Sequence, residues 1–98
     1  MDLQAATTAL RNKVGADSDL GATLKFDCGA DGVIVIDGAA RPSTVDNTDR
    51  DTDCTISLTV DTLGDMMSGE LNPTTAFMTG RIKVSGDMGV ALKLQSVF

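Results

Sequence analysis

The chain has 98 residues and a mass of 10.2 kDa, a length at which one hydrophobic core, and so one domain spanning 1–98, is expected. Its 42% hydrophobic and 22% charged residues lie near globular averages, which excludes a disordered or collagen-like chain. Eight Lys and Arg against fourteen Asp and Glu leave a net charge of −6, which repels phosphate backbones and anionic bilayers, so nucleic acid is excluded as a partner and membrane contact should be at most transient.

Histidine is absent. That removes the usual general base near neutral pH, the Ser-His-Asp and Cys-His nucleophile systems and the commonest zinc ligand. The two cysteines form no Cys-x-x-Cys spacing and are too few for a disulfide-stapled scaffold, so no metal or cofactor is implied and a reducing compartment is expected. The opening MDLQAATTAL lacks the basic and apolar regions of a secretory signal, and no apolar run approaches the roughly 20 residues that cross a bilayer. The expected location is cytoplasmic.

Leu3, Ala6, Thr7, Leu10 and Val14 recur at helical spacing and predict a helix over 3–14, with Gly15 as its terminator. Ala22, Leu24, Phe26 and Cys28 alternate with polar residues and predict a half-buried strand. The turn residues Gly29-Ala30-Asp31-Gly32 lead from it into the β-branched run Val33-Ile34-Val35-Ile36, so the two segments should pair as an antiparallel hairpin. From Asp37 to Asp53 the chain is polar and reads as a loop, with a short edge strand near Ser43-Thr44-Val45. Strict alternation resumes over 54–60, placing Cys54, Ile56, Leu58 and Val60 on one side of a strand.

Asp61 should cap a helix carrying Leu63, Met66 and Met67, with Gly69 stopping it. Asn72-Pro73 opens a second short helix with Ala76, Phe77 and Met78. Residues 81–85 form a last strand with Arg81 and Lys83 on its wet face, and Asp87 caps a final helix from Met88 onward. On a helical wheel Met88, Val90, Ala91, Leu92, Leu94, Val97 and Phe98 span roughly 220°, more than the stripe of about 100° that packing on one sheet requires.

Three constellations invite a chemical reading. Asp49, Asp51 and Asp53 match positions 1, 3 and 5 of a calcium-binding EF-hand loop, but Cys54 replaces its glycine at position 6 and Val60 its glutamate at position 12, so the stretch reads as a solvated acidic loop. Cys28 and Cys54 share the apolar phase of their strands, as core thiols do. Asp61, Asp65, Glu70 and Asp87 are the carboxylates that could serve acid–base catalysis, and helix capping accounts for Asp61 and Asp87. The chain is therefore expected not to be an enzyme.

The C-terminal third is unusually rich in Met, Leu and Phe. These side chains serve as ordinary core, as the walls of an apolar cavity open to a lipid, or as a surface for a partner chain or a homodimer without any ligand.

The residues from Phe26-Asp27-Cys28 and Asp31-Gly32-Val33 through Asp53-Cys54-Thr55-Ile56 to Gly69-Glu70-Leu71-Asn72-Pro73 resemble those of the sterol carrier protein type 2 lipid-transfer family, in a compact stand-alone form. The similarity is densest in Ala76-Phe77-Met78-Thr79-Gly80-Arg81-Ile82-Lys83-Val84-Ser85-Gly86-Asp87-Met88-Gly89. The resemblance implies an α+β fold, a five-stranded and mostly antiparallel sheet with about four to five helices on one face enclosing a hydrophobic tunnel. It implies non-enzymatic lipid binding and transfer, with fatty acid, fatty acyl-CoA, phospholipid or a sterol-like ligand as cargo.

The peroxisomal C-terminal signal of eukaryotic relatives is missing, as are the fused thiolase and dehydrogenase domains, which suggests a prokaryotic form for which sterol is the poorer cargo. Leu63, Met66, Met67, Phe77, Met78, Val84, Met88, Leu92 and Phe98 are, by phase, the expected lining of the cavity. Arg81 and Lys83 would hold a carboxylate or phosphate if they stood at its mouth, and otherwise are charges on the open sheet face.

Overall fold

The computed structural model describes residues 2–14, 20–40 and 42–93. Helix α1 (Leu3–Val14) buries Ala6, Thr7, Leu10 and Val14, the stripe its spacing predicts. Strands β1 (Thr23–Asp27) and β2 (Val33–Asp37) pair antiparallel around a single 3-10 turn at Gly29–Asp31, with Leu24 opposite Ile36 and Phe26 opposite Ile34. Strand β3 (Thr44–Asp46) adds to the free edge of β2, and β4 (Cys54–Ser57) lies parallel to β1 on its other side. Helices α2 (Val60–Ser68) and α3 (Pro73–Met78) follow, then the edge strand β5 (Lys83–Gly86), antiparallel to β4, and helix α4 (Met88–Lys93). The sheet order is β3-β2-β1-β4-β5. The expected α+β sheet is thus present, with three antiparallel pairs and one parallel pair. The expected terminator Gly15 and the helical continuation through Leu94, Val97 and Phe98 lie outside the described residues.

Register decides which face is covered. Directly paired residues share a face, so Val45, Ile36, Leu24, Cys54 and Ile56 point the same way, and all are buried in one cluster with Leu10 of α1, Leu63 of α2 and Val90 of α4. Asn47 secures α1 over this face: its side-chain amide donates 2.9 Å bonds both to the Thr7 hydroxyl and to the Val33 carbonyl. The opposite face is less open than expected. Val35 points there and is fully buried, flanked in register by Lys25 and Asp46. Those two pair with Asp49 and Arg50, at 2.7 and 3.2 Å, which draws the acidic loop across the sheet.

Two boundaries differ from expectation. The strand expected over 54–60 ends at Ser57, and the cap of α2 is Thr59 instead of Asp61. The Thr59 hydroxyl accepts the Thr62 N–H at 3.0 Å, which turns the chain into a helix at Val60 and leaves Asp61 in the first turn, where its charge still suits the helix dipole. Arg81 precedes β5 and reaches α2, 3.5 Å from the Asp65 carboxylate, so it is not a wet-face strand residue.

The parallel register also separates the thiols. Cys54 lies opposite Leu24, four positions from Cys28, or ~13 Å at the rise of a strand. A disulfide spans at most about 7 Å between Cα atoms. Both cysteines are free and buried.

Candidate functional site: an apolar groove between two short helices

Helix α3 is built to sit shallowly. The Asn72 side chain accepts the Thr74 N–H at 2.8 Å, and Pro73 presets the first turn. The helix closes after six residues, where the Arg81 N–H reaches back to the Ala76 carbonyl at 2.9 Å. Ala76 is its one buried residue, so Phe77, on the same turn, stays half exposed. Helix α4 starts on Asp87, whose carboxylate accepts the Gly89 N–H at 2.8 Å and whose own N–H donates to the Asp53 carbonyl at 2.8 Å. Val90 is its buried anchor.

Between these helices lies a groove of about 140 Å³. Its floor is Ile56 of β4, Ile82 just before β5 and Val84 of β5; one wall is Pro73, Thr74 and Phe77, the other Met88, Ala91 and Leu92. No ionisable side chain is among these nine. Such a lining offers dispersion contact and dehydration, and no means of activating water or a substrate.

Four of the expected lining residues, Phe77, Val84, Met88 and Leu92, are brought together here. Leu63, Met66 and Met67 are not: they are at most 9% exposed in the core, where α2 packs against α1. Met78 is 80% exposed and is not among the residues that line the groove. Phe98 lies outside the described residues. Arg81 is taken up by Asp65, and Lys83 points to the opposite side of β5 from Val84, so neither stands at the mouth. Ile56, Pro73, Thr74, Ile82 and Ala91 were missing from the expected set. Ile56 faces Val84 across the β4–β5 pair, a signal that strand order would have supplied. Among the described residues the implied tunnel is a groove between two helices.

The thiols are not part of it. Burial first, then the charges of Asp31 and Asp27, pushes the Cys28 thiol up to about 11. Burial also raises the Cys54 thiol, helped by Asp87 and opposed by a backbone hydrogen bond from Ala91. Neither is poised as a thiolate nucleophile. No helix among the described residues is long and apolar enough to cross a membrane.

A sequence profile of the SCP-2 sterol transfer family matches residues 4–98. The chain is 42% identical over 57 residues to sterol carrier protein 2 of Bos taurus, which covers 58% of this chain and 10% of that protein. It therefore spans about a tenth of the length of such curated relatives. The solution structure of sterol carrier protein domain 2 of Helicoverpa armigera superposes with a TM-score of 0.72 at 26% identity, covering 96% of this chain and 82% of that one. The solution structure of palmitated SCP2L2 from Aedes aegypti gives a TM-score of 0.74 at 21% identity over 99% and 94% of the two chains.

Proposed function

The chain belongs to the SCP-2 sterol transfer family, and on that premise we propose that it is a non-enzymatic carrier which takes the alkyl tail of a fatty acid, fatty acyl-CoA or phospholipid into the groove between α3 and α4. The observation that carries this reading is the lining itself: nine side chains, none ionisable, drawn from α3, β4, β5, α4 and the residue before β5, and open to solvent past Phe77 and Leu92. That the Aedes aegypti protein of the same fold is palmitated supports the choice of an acyl tail.

Size sets the mechanism. An apolar cavity of about 150 Å³ accommodates one benzene, so the groove as it stands shelters roughly six carbons. Their transfer from water yields about 5 kcal/mol at ~0.8 kcal/mol per methylene, against association costs of about 4–15 kcal/mol. Tight binding therefore requires α3 and α4 to part and admit more of the tail. Among the described residues each helix has a single buried anchor, Ala76 or Val90, so displacing either exposes little of their apolar surface. A rigid fused-ring sterol fits this opening less readily than a thin chain. The headgroup stays in water, since the groove offers it no charged partner.

Native mass spectrometry of the protein purified from cells, followed by organic extraction, tests the proposal. The expected result is a co-purifying acyl lipid, with cis-parinaric acid bound at micromolar concentration by the delipidated chain. An empty chain that also fails to bind cis-parinaric acid overturns it.

A further inference from the structure

Asp65 of α2 holds both ends of the segment that carries one wall of the groove. Its main-chain carbonyl accepts the Leu71 N–H at 3.1 Å, ahead of α3, and its carboxylate stands 3.5 Å from the Arg81 guanidinium, beyond α3. The same guanidinium lies 3.5 Å from the Thr62 hydroxyl, one turn back on α2. Since the Arg81 N–H also closes α3 onto the Ala76 carbonyl, Arg81 fastens the last turn of α3 through its backbone and ties that turn to α2 through its side chain.

Between these ties the segment is lightly held. Leu71 and Ile82 pack against the core, whereas of residues 72–81 only Ala76 is buried. Gly69 and Gly80 flank α3 with open space where a Cβ would stand, which gives the turns room to rotate. Helix α4, by contrast, lies across β1, β4 and β5, so of the two walls α3 is the one that yields. The ion pair sets how readily it does so. Both side chains are half exposed, and an exposed pair shifts an equilibrium by about two- to fivefold. That is too little to matter for the fold, and enough to bias a helix with one small buried anchor between two positions.

We infer that Asp65 is a positioning residue for loading: through Arg81 it latches α3 over the empty groove, and the latch breaks when α3 swings out to admit an alkyl tail. The role in loading rests on the carrier reading; the motion of α3 does not. The sign of its effect sets a latch apart from an ordinary structural contact. The shut form is the one that does not take the tail, so removing the latch raises the apparent affinity by the factor by which it raises the open population. Loss of a merely structural contact would lower it.

Hydrogen exchange of the lipid-free full chain, read by mass spectrometry over residues 72–82, measures the latch, and cis-parinaric acid titration measures the groove. Asp65→Asn and Arg81→Gln are each expected to speed exchange across α3 by about two- to fivefold, with α1 and the β1–β2 hairpin unchanged, and to tighten cis-parinaric acid by a similar factor. The two variants change the charge of the protein in opposite senses, so a general pull on the anionic probe would move its affinity in opposite directions, whereas a shared latch moves both the same way. Combining them should add nothing further. If exchange across α3 rises in both variants while no form binds cis-parinaric acid, the latch stands and the carrier reading falls. If α3 exchanges no faster in either variant, or the acceleration spreads to α1, the latch is overturned whether or not the probe binds. In a protein that binds the probe, an affinity that fails to rise in both variants, or gains that add in the double variant, overturn it as well. A rise in Asp65→Asn with a fall in Arg81→Gln would assign Arg81 to the carboxylate of the tail instead.

Discussion

A Cβ atom placed on Gly86 would stand 2.5 Å from the carbonyl oxygen of Asp53. The two residues hold the end of β5 against the start of β4, and the same carbonyl accepts the Asp87 N–H at 2.8 Å. Asp53 is itself fixed from the other side: its carboxylate accepts the Thr23 N–H at 3.0 Å, and its N–H donates to the Thr23 hydroxyl at 2.8 Å. A chain of contacts thus runs from β1 through Asp53 to the first turn of α4, and with it to the wall formed by Met88, Ala91 and Leu92. The position of that wall depends on a residue with no side chain.

Gly86→Ala is expected to destabilise the fold by about 2–4 kcal/mol, because the new methyl meets backbone and the residue sits at φ +93, a conformation that L residues rarely adopt. Urea unfolding should show a lower midpoint at unchanged slope. A midpoint equal to that of the wild type would mean that β5 shifts freely on β4 and that the anchoring of α4 lies elsewhere.

Much of this arrangement is legible in the residues. Leu24, Phe26, Cys54 and Ile56 alternate because a sheet covered on one face demands it, and Asn72-Pro73 opens α3 by the physics that makes those residues good at a helix start. The cap of α2 was not legible in the same way. Thr59 and Asp61 can both cap, and the choice falls to Thr59 because the ladder with β1 stops there, at the Leu58 N–H donating to the Asp27 carbonyl at 3.1 Å. The groove is only half legible for a related reason. Met66 and Met88 are the same residue type and both lie on helices, yet Met66 is buried on α2, which packs against α1, while Met88 is half exposed. What distinguishes them is how far each helix is held from its neighbours, which long-range contacts such as Gly86 to Asp53 decide. Ile56 and Ile82 escaped notice because their role depends on β4 lying between β1 and β5, a parallel neighbour that no local pattern announces.

The difference between groove and core residues gives a paired expectation. Leu92 is 66% exposed, so Leu92→Glu should change stability by no more than about 0.5 kcal/mol while weakening cis-parinaric acid at least about tenfold, since the tail then meets a charge. Leu63 is fully buried away from the groove. Leu63→Ala should cost about 2–5 kcal/mol of stability and leave the affinity of the folded protein unchanged. Fluorescence titration beside urea unfolding separates the two, and a folded Leu63→Ala protein with lost affinity would place the tail against α2.

Cys28 provides the pH dependence. Its thiol is held neutral, with a pKa pushed up to about 11 from an ordinary value of 9.0, so on raising the pH the unfolded chain loses this proton before the folded one does. The resulting stabilisation is complete below about pH 9 and is lost as the pH climbs through about 11. The chain has no tyrosine, which leaves Cys54 and the lysines as the other side chains titrating in the alkaline range. Comparing wild type with Cys28→Ala cancels their effect. The urea midpoint of the wild type should fall more steeply between about pH 8 and about pH 10.5 than that of Cys28→Ala. Parallel curves would show that the thiol ionises as easily in the folded protein as in the unfolded chain, and that Cys28 is not sealed from water where β1 ends.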